Sequence, residues 1–234
     1  GNINEKTAKI YGDYCLMTSN RSVMADINKV FSALKRPKVD LKQSIKNCKS
    51  LLVCPIDMRT AFMQQLDFEI EQAQAGKEAH VIIKVNSLSD KILIKKLYEA
   101  AEAGVQIEMI VRGIYCVVNQ QKFKKAIYAI SIVDEYLEHA RVMYFHAGGK
   151  ENMYISSADW MTRNLDYRIE AAVKITNKKI KNELKDMLAI QLKDNVKARL
   201  LNNQLNNAYV ETQDEPFRSQ IELYSYLKEK TIGQ

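Results

Sequence analysis

The sequence is poor in the features that announce specialised classes. Its four cysteines (Cys15, Cys48, Cys54, Cys116) form no C-x-x-C pair, and none has a histidine at zinc-site spacing. That leaves no zinc module or disulfide framework to read, and a reduced compartment is the simple expectation. No apolar run approaches the ~20 residues of a membrane-spanning helix, and no secretory leader opens the chain. There is no repeat or low-complexity tract. The first residue is Gly1 rather than Met, so a fragment or a processed chain is expected. What is present is ordinary globular material. Hydrophobic residues make up 47% of 234, enough for a real core in one large domain or two small ones.

Thirty-five basic residues face 28 acidic ones, a net charge of +7. Such an excess favours anionic partners: nucleotides, phosphate polymers or nucleic acid. Basic helices that merely face solvent, as around Lys174 to Lys185, account for it equally well.

Periodicity and breakers divide the chain. Residues 8–18 read as a short strand, and a helix is expected from Asn20 or Arg21 to Leu34. Lys35-Arg36-Pro37-Lys38 reads as a linker, because Pro37 discourages helix before it. Leu51 to Cys54 is a buried strand ended by Pro55. Asp57 is a plausible N-cap for a helix that carries Phe62, Leu66 and Ile70 and stops at Gly76. His80–Val85 reads as strand, Ser89–Ala103 as helix closed by Gly104, and Val105–Arg112 as strand. Residues 119–126 are polar and indeterminate. Tyr128–Ile132, Arg141–Phe145, Met153–Ser157 and Ile169–Ile175 are four further candidate strands. From Asn177 onward helices are expected, interrupted near Pro216. Strands alternating with helices predict an α/β layered sheet, with mixed strand directions late in the chain.

The densest chemistry lies between Asp134 and Arg168. His139 and Arg141 precede the apolar run Val142 to Phe145, and a Gly148-Gly149 turn leads to a second run ending in Ser156-Ser157-Ala158-Asp159. In a strand, positions i and i+2 share a face. If a strand starts near Glu138, His139 and Arg141 project together, a proton-transfer group beside a planar cationic fork that suits phosphate. Ligands of open α/β sheets sit beyond strand ends. Such ends carry Lys84 and Asn86, Arg112-Gly113, His139 with Arg141, and Ser157 to Asp159 with Arg163, Asn164 and Arg168 downstream. Lys84, Arg112, Arg141, Arg163 and Arg168 can thus bring several fixed charges to one cleft, as phosphoryl transfer requires. Ser156 and Ser157 read better as turn residues than as nucleophiles. Trp160 reads as core, and His80 and His146 as surface or hydrogen-bonded residues. Asp159 suits either a cap or the orienting of a basic side chain.

The spacing resembles the phospholipase D pattern, H-x-K followed by a small-residue G-S-x-N, with Arg141 in place of Lys. A fuller resemblance is to the C-terminal region of phosphohistidine-type polyphosphate kinases. Lys84-Val85-Asn86-Ser87-Leu88, Ile110-Val111-Arg112-Gly113, Tyr136-Leu137-Glu138-His139-Ala140-Arg141, Ser156 through Asn164, Asp166-Tyr167-Arg168 and Lys193 through Arg199 carry it. The last of these extends the match into the C-terminal helices. The chain departs from the family at Gly12, where Thr is usual, and in the loop Val117 to Lys125, which lacks the usual Pro.

That resemblance implies phospholipase D-like layered mixed sheets flanked by helices, with a helical C-terminal segment. Residues 1–45 would be the tail of the first C-terminal phospholipase D-like domain, and residues 46–234 the second. It implies reversible transfer of the terminal phosphate of ATP to inorganic polyphosphate. The phosphorylated histidine belongs to a motif upstream of Gly1, so the chain alone is expected to be inactive. By the same resemblance the nucleotide-phosphate contacts fall on Tyr11, Arg112, His139 and Arg168, and His139 takes part in the chemistry. Asp13 falls on a neighbouring acidic position. Supporting roles go to Lys84, Asn86, Arg141, Ser157, Asp159 and Arg163. Magnesium is implied as cofactor, with no protein ligands identifiable. ATP or ADP and polyphosphate are the implied partners. A homo-oligomer, no DNA, and a cytoplasmic location at most peripheral to the inner membrane complete the expectation. Two other readings stay open: a phospholipase D-like phosphodiesterase or nuclease, which needs a second H-x-K half-site, and a non-catalytic basic module that binds nucleic acid.

Overall fold

The computed structural model describes residues 4–35, 43, 45–118, 120–204 and 206–232. Its centre is an eight-stranded mixed sheet. In chain order the strands of this sheet are β2 (Leu51–Cys54), β3 (His80–Val85), β4 (Gln106–Val111), β5 (Ile127–Ile132), β7 (Arg141–Phe145), β8 (Asn152–Ser156), β9 (Glu170–Lys174) and β10 (Ala198–Leu200). In space they run β10-β5-β4-β3-β7-β8-β9-β2. The two-residue strands β1 (Tyr11–Gly12) and β6 (Leu137–Glu138) pair in parallel beside it, Tyr11 opposite Leu137 and Gly12 opposite Glu138. The helices are α1 (Arg21–Leu34), α2 (Met58–Gln74), α3 (Lys91–Ala103), α4 (Lys178–Leu192) and α5 (Ser219–Ile232).

β3 shows why the sheet is two-sided. Its sequence HVIIKV is buried except at His80, the near-continuous apolar run of a strand covered on both faces. Because side chains alternate, Val81, Ile83 and Val85 enter one core with Phe62 and Leu66 of α2 and Leu93 and Leu97 of α3. Ile82 enters the other, with Ile110, Val142, Leu184 and Leu188. In the first core the Phe62 ring meets the rings of Phe145, Tyr154 and Trp160, centroids 5.6–6.2 Å apart.

The punctuation behaves as its chemistry dictates. Asn20 accepts from the N–H groups of Ser22 and Val23 and caps α1. Gly104 closes α3 at φ +102°, a left-handed conformation that costs glycine little. Most of the expected linker around Pro37 lies outside the described residues.

Four expectations need correction. The strand expected over 8–18 shrinks to Tyr11–Gly12 after a 3₁₀ turn. Asp57 gives α2 no capping hydrogen bond, because its carboxylate turns back to accept from the Val53 N–H at 2.7 Å. The run from Lys193 to Arg199 is not helical. Asp194 accepts from the N–H groups of Val196, Lys197 and Ala198 and turns the chain into β10, antiparallel to β5. Finally, no continuous strand carries His139 and Arg141. β6 ends at Glu138, β7 begins at Arg141, and the break occurs because residues 137–139 pair with the distant segment 10–12 instead.

Candidate phosphate-binding edge of the sheet

Strand directions decide where the candidate residues meet. β2, β3, β4, β5 and β8 run one way, and β7, β9 and β10 run against them. One edge therefore collects the C-terminal ends of β2, β3, β4 and β8 and the starts of β7 and β9. In spatial order that edge presents Arg112, Asn86, His139 with Arg141, Ser157 with Asp159, and Arg168. At a strand spacing of ~4.8 Å, four spacings from β4 to β9 put the Arg112 and Arg168 backbones roughly 19 Å apart. His80 and His146 lie at the opposite edge, where each faces a glutamate: His80 meets Glu108 at 2.7 Å, and His146 meets Glu78 at 3.6 Å.

His139 is held from both sides of the break. Its N–H donates to the Gly12 carbonyl at 2.9 Å, and its ring lies against Tyr11, centroids 4.8 Å apart. Tyr11 and His139, remote in sequence, are thereby one surface. The imidazole Nδ1 is buried with no hydrogen-bond partner among the described residues. Burial, then Arg141, holds the imidazole below the usual histidine range; Asp13 opposes this and Arg112 adds to it. An unpartnered buried acceptor costs less than an unpartnered buried N–H. The arrangement thus favours a neutral ring with its proton on Nε2.

The cations at this edge divide into two classes. Lys84 and Arg141 are paired within the fold. Lys84 is 1% exposed; its ammonium donates to the Glu138 carboxylate and, at 2.9 Å, to Gln191 of α4. Burial pushes it below the ordinary lysine range, against the pull of Glu138 and then Asp13. Gln191 also donates to Glu138 at 2.6 Å, and Gln220 of α5 donates to its other oxygen at 2.9 Å. Lys84 therefore supports the segment leading to His139 and presents no charge to a cleft. Arg141 donates to both Asp159 oxygens, at 3.3 and 3.2 Å, and to the His139 carbonyl at 3.1 Å. Asp159 in turn accepts from the N–H groups of Asn86 and Ser87 at 2.7 and 3.2 Å. With the Asn86 amide turned so that its oxygen faces Arg141, it closes the network at 2.7 and 2.9 Å.

Arg112, Arg163 and Arg168 form the second class. Their guanidinium groups have no hydrogen bond or ion pair among the described residues. Arg112 follows β4, and the next residue, Gly113, donates to the Asn86 carbonyl at 2.7 Å. A Cβ at Gly113 would meet that carbonyl at 3.0 Å, so the close approach that locates Arg112 needs glycine. Arg163 and Arg168 flank a π-helical turn, Arg163–Tyr167, on which Tyr167 is 82% exposed.

Nucleophiles fare poorly here. The Ser157 hydroxyl donates to Glu170 and accepts from the Ala171 N–H. Cys54 is buried, and that burial followed by Glu170 pushes its thiol up to about 12, which leaves it inert. Trp160 is fully buried. Among the described residues, no three His, Cys, Asp or Glu side chains gather closely enough to hold a metal ion, and Glu138, Asp159 and Glu170 are already engaged. The described residues do not offer a ligand set that fits a resident magnesium.

Sequence reading missed Arg59, in the first turn of α2. It donates to both oxygens of Asp166, at 2.5 and 2.8 Å, and to Asp90 at 2.8 Å. The signal was available: β2 is one more strand ending at this edge, and Arg59 follows its end by one turn.

Comparisons with known proteins bear on the family and the fold. Residues 51–220 match the family model for polyphosphate kinase C-terminal domain 2, and residues 1–40 match that for C-terminal domain 1. Polyphosphate kinase of Vibrio vulnificus (strain YJ016) is 43% identical over 230 residues, covering 97% of this chain and 32% of the relative. That of Escherichia coli (strain K12) is 39% identical, with 33% of the relative covered. The crystal structure of polyphosphate kinase from Porphyromonas gingivalis superposes on the whole chain with a TM-score of 0.92 at 42% identity, over 36% of its own length. The chain thus spans about a third of the length of these relatives, and it belongs to the polyphosphate kinase family, whose C-terminal domains it matches.

Proposed function

We propose that this chain supplies one wall of the ATP and polyphosphate site of a polyphosphate kinase. The observation that carries the reading is the division of cations along one sheet edge. Lys84 and Arg141 are neutralised from within, whereas Arg112, Arg163 and Arg168 are left for an external anion beside the Tyr11–His139 surface. The roughly 19 Å between the Arg112 and Arg168 backbones suits an extended phosphate chain better than a single phosphate.

In the reaction, the β–γ bridging P–O bond of ATP breaks and ADP leaves. A P–N bond forms on a histidine in a motif that this sequence does not contain. That bond then breaks as a terminal polyphosphate oxygen attacks phosphorus, and the polymer gains one residue. Arg112 holds phosphate oxygens with its planar fork. Neutral His139 donates its Nε2 proton as a hydrogen bond to a phosphate oxygen and is not itself phosphorylated: attack by Nε2 needs the tautomer that carries its proton on the buried, unpartnered Nδ1. Arg141 and Asp159 hold the backbone that presents Asn86 and Arg112. Magnesium, when bound with the nucleotide, would supply charge neutralisation on the phosphates; the described residues of this chain offer no set of ligands to hold it. The same reading takes residues 1–45 as the tail of the first C-terminal phospholipase D-like domain and residues 46–234 as the second. It also takes the complete enzyme as a cytoplasmic homo-oligomer without affinity for DNA.

The test is direct. The chain should bind ATP and polyphosphate, with duplex DNA of equal charge bound far more weakly. Incubation with γ-labelled ATP and magnesium should leave no acid-labile label on the protein. Stable phosphohistidine at His139, or polymer synthesis by this chain alone, would overturn the assignment.

A further inference from the structure

Arg163 and Tyr167 open and close a π-helical turn, a rare conformation, and Arg168 follows it directly. Arg59 holds this turn. Its fork grips Asp166 inside the turn through both nitrogens and reaches Asp90 at 2.8 Å. Asp90 is itself fixed: it is 1% exposed, and it caps α3 by accepting from the Leu93 N–H at 3.0 Å. It also accepts from the Thr162 hydroxyl at 3.5 Å. On the far side of the turn, Asn164 donates to Glu170 at 2.8 Å. The Arg59 side chain is only 18% exposed, so it faces into the fold while Arg163 and Arg168 face out. Arg168 leaves the turn in extended conformation, φ −110° and ψ 155°, two residues from the gripped Asp166. The grip therefore fixes where its guanidinium emerges.

We propose that Arg59 is a positioning residue for polyphosphate binding: it holds the π-turn through Asp166 and so presents Arg168 pre-ordered to the polymer. The inference rests on the reading of Arg168 as a phosphate ligand. Without the grip, the turn must be ordered at the moment of binding. Ordering even one backbone residue weakens binding about 5- to 30-fold. Lysine cannot take Arg59's place, since an ammonium cannot span two carboxylates with a bidentate fork.

The experiment measures affinity of this chain for inorganic polyphosphate of defined length by titration calorimetry. The variants are Arg59→Lys, Asp166→Asn, Arg168→Ala and the two doubles with Arg168→Ala, each with its melting temperature. Arg59→Lys and Asp166→Asn should each weaken binding about 5- to 30-fold. Each double should bind no more weakly than Arg168→Ala alone, because the grip acts through Arg168. Asp166 is half-exposed, so Asp166→Asn should melt close to wild type. Additive doubles would overturn the proposal by making Arg59 a direct ligand or an unrelated one. Unchanged affinity in both single variants would overturn it too. So would melting collapse of both, which would make the grip a device of the fold alone. If wild type binds no polyphosphate, or Arg168→Ala binds like wild type, the underlying site reading fails first, and that is a distinguishable result.

Discussion

Replacing Asp159 by alanine should damage stability and site together, and the structure sets the size. The carboxylate is 7% exposed. It accepts from two backbone N–H groups, Asn86 at 2.7 Å and Ser87 at 3.2 Å, and from Arg141 through two nitrogens. Hydrogen bonds to a charged group are worth ~1.5–3 kcal/mol each, but summing them overshoots, because the loop relaxes and water enters. Breaking a buried ion pair by deleting one partner costs about 3–5 kcal/mol, and we take that as the expected loss. For a domain of this size each kcal/mol lowers the midpoint by about 2–4 °C, so Tm should fall by roughly 6–20 °C.

Urea unfolding, followed by far-ultraviolet dichroism and by the fluorescence of the single buried Trp160, gives the free energy. Coincidence of the two signals checks two-state behaviour. A cycle with Arg141→Met isolates the pair. The double variant no longer leaves a cation unpaired, so it should recover about 1–3 kcal/mol relative to the sum of the singles. The Asn86 carbonyl holds Gly113 at 2.7 Å, so ATP affinity should fall in Asp159→Ala as Arg112 loosens. A loss below about 1 kcal/mol, or strict additivity with Arg141→Met, would show that the network contributes little and refute the argument.

Other outcomes follow from the same contacts. Arg112→Ala should weaken ATP binding by roughly 10- to 100-fold, one charge-assisted contact, with Arg112→Lys recovering part of it; unchanged affinity in calorimetry would remove Arg112 from the site. Lys84→Ala should cost about 3–5 kcal/mol by stranding Glu138 in the interior, whereas Lys84→Met with Glu138→Gln should cost less, both read from urea midpoints. Phe62→Ala should cost about 3–5 kcal/mol, because the ring is fully buried among three other rings; a smaller loss would mean that the core collapses into the space. His139 should titrate by NMR below the ordinary histidine value of about 6.5. Since the unfolded chain then takes up the proton first, its contribution to stability is intact above that value, declines as pH falls below it, and levels off beneath the folded pKa. His139→Gln should remove that component of the pH profile.

Local signals made most of the fold legible. Gly104, Asn20 and the apolar run of β3 act within a few residues of themselves, so their effects appear in the sequence. β10 has a local signal that the helical expectation overrode: Val196-Lys197-Ala198-Arg199-Leu200 alternates apolar and basic residues, and the Asp194 carboxylate and the β5 edge complete the strand. The interruption between β6 and β7 has a cause that is not local. Residues 137–141 could run on into β7 as one strand, but Tyr11 and Gly12 pair with their first part and leave His139 at the junction. The i, i+2 argument thus placed His139 beside Arg141 for the wrong reason, and the contact between Tyr11 and His139 was the real consequence.

The candidate site divides along the same line. A sequence shows that a cation stands at a strand end; it does not show whether an acid from elsewhere has already claimed it. Lys84 meets its partners 54 and 107 residues away, and Arg59 meets Asp166 107 residues away. Charge at an edge is therefore available to a ligand only after internal claims are settled. Among the described residues, Arg112, Arg163 and Arg168 are the arginines of this edge to which the fold supplies no carboxylate. For Arg163 and Arg168, which are exposed, going unpaired costs the fold little, since exposed ion pairs are worth little; Arg112 is half-buried. Pairing Lys84, Arg141 and Arg59 is different, because an unpartnered charge at those depths would be expensive. Pairing within the fold therefore marks Lys84, Arg141 and Arg59 as scaffold, and on the proposed reading the half-buried Arg112 and the exposed Arg163 and Arg168 serve phosphate, so mutations in the two sets should separate in experiment. Scaffold variants should move the urea midpoint first, and the unclaimed arginines should move affinity at constant midpoint.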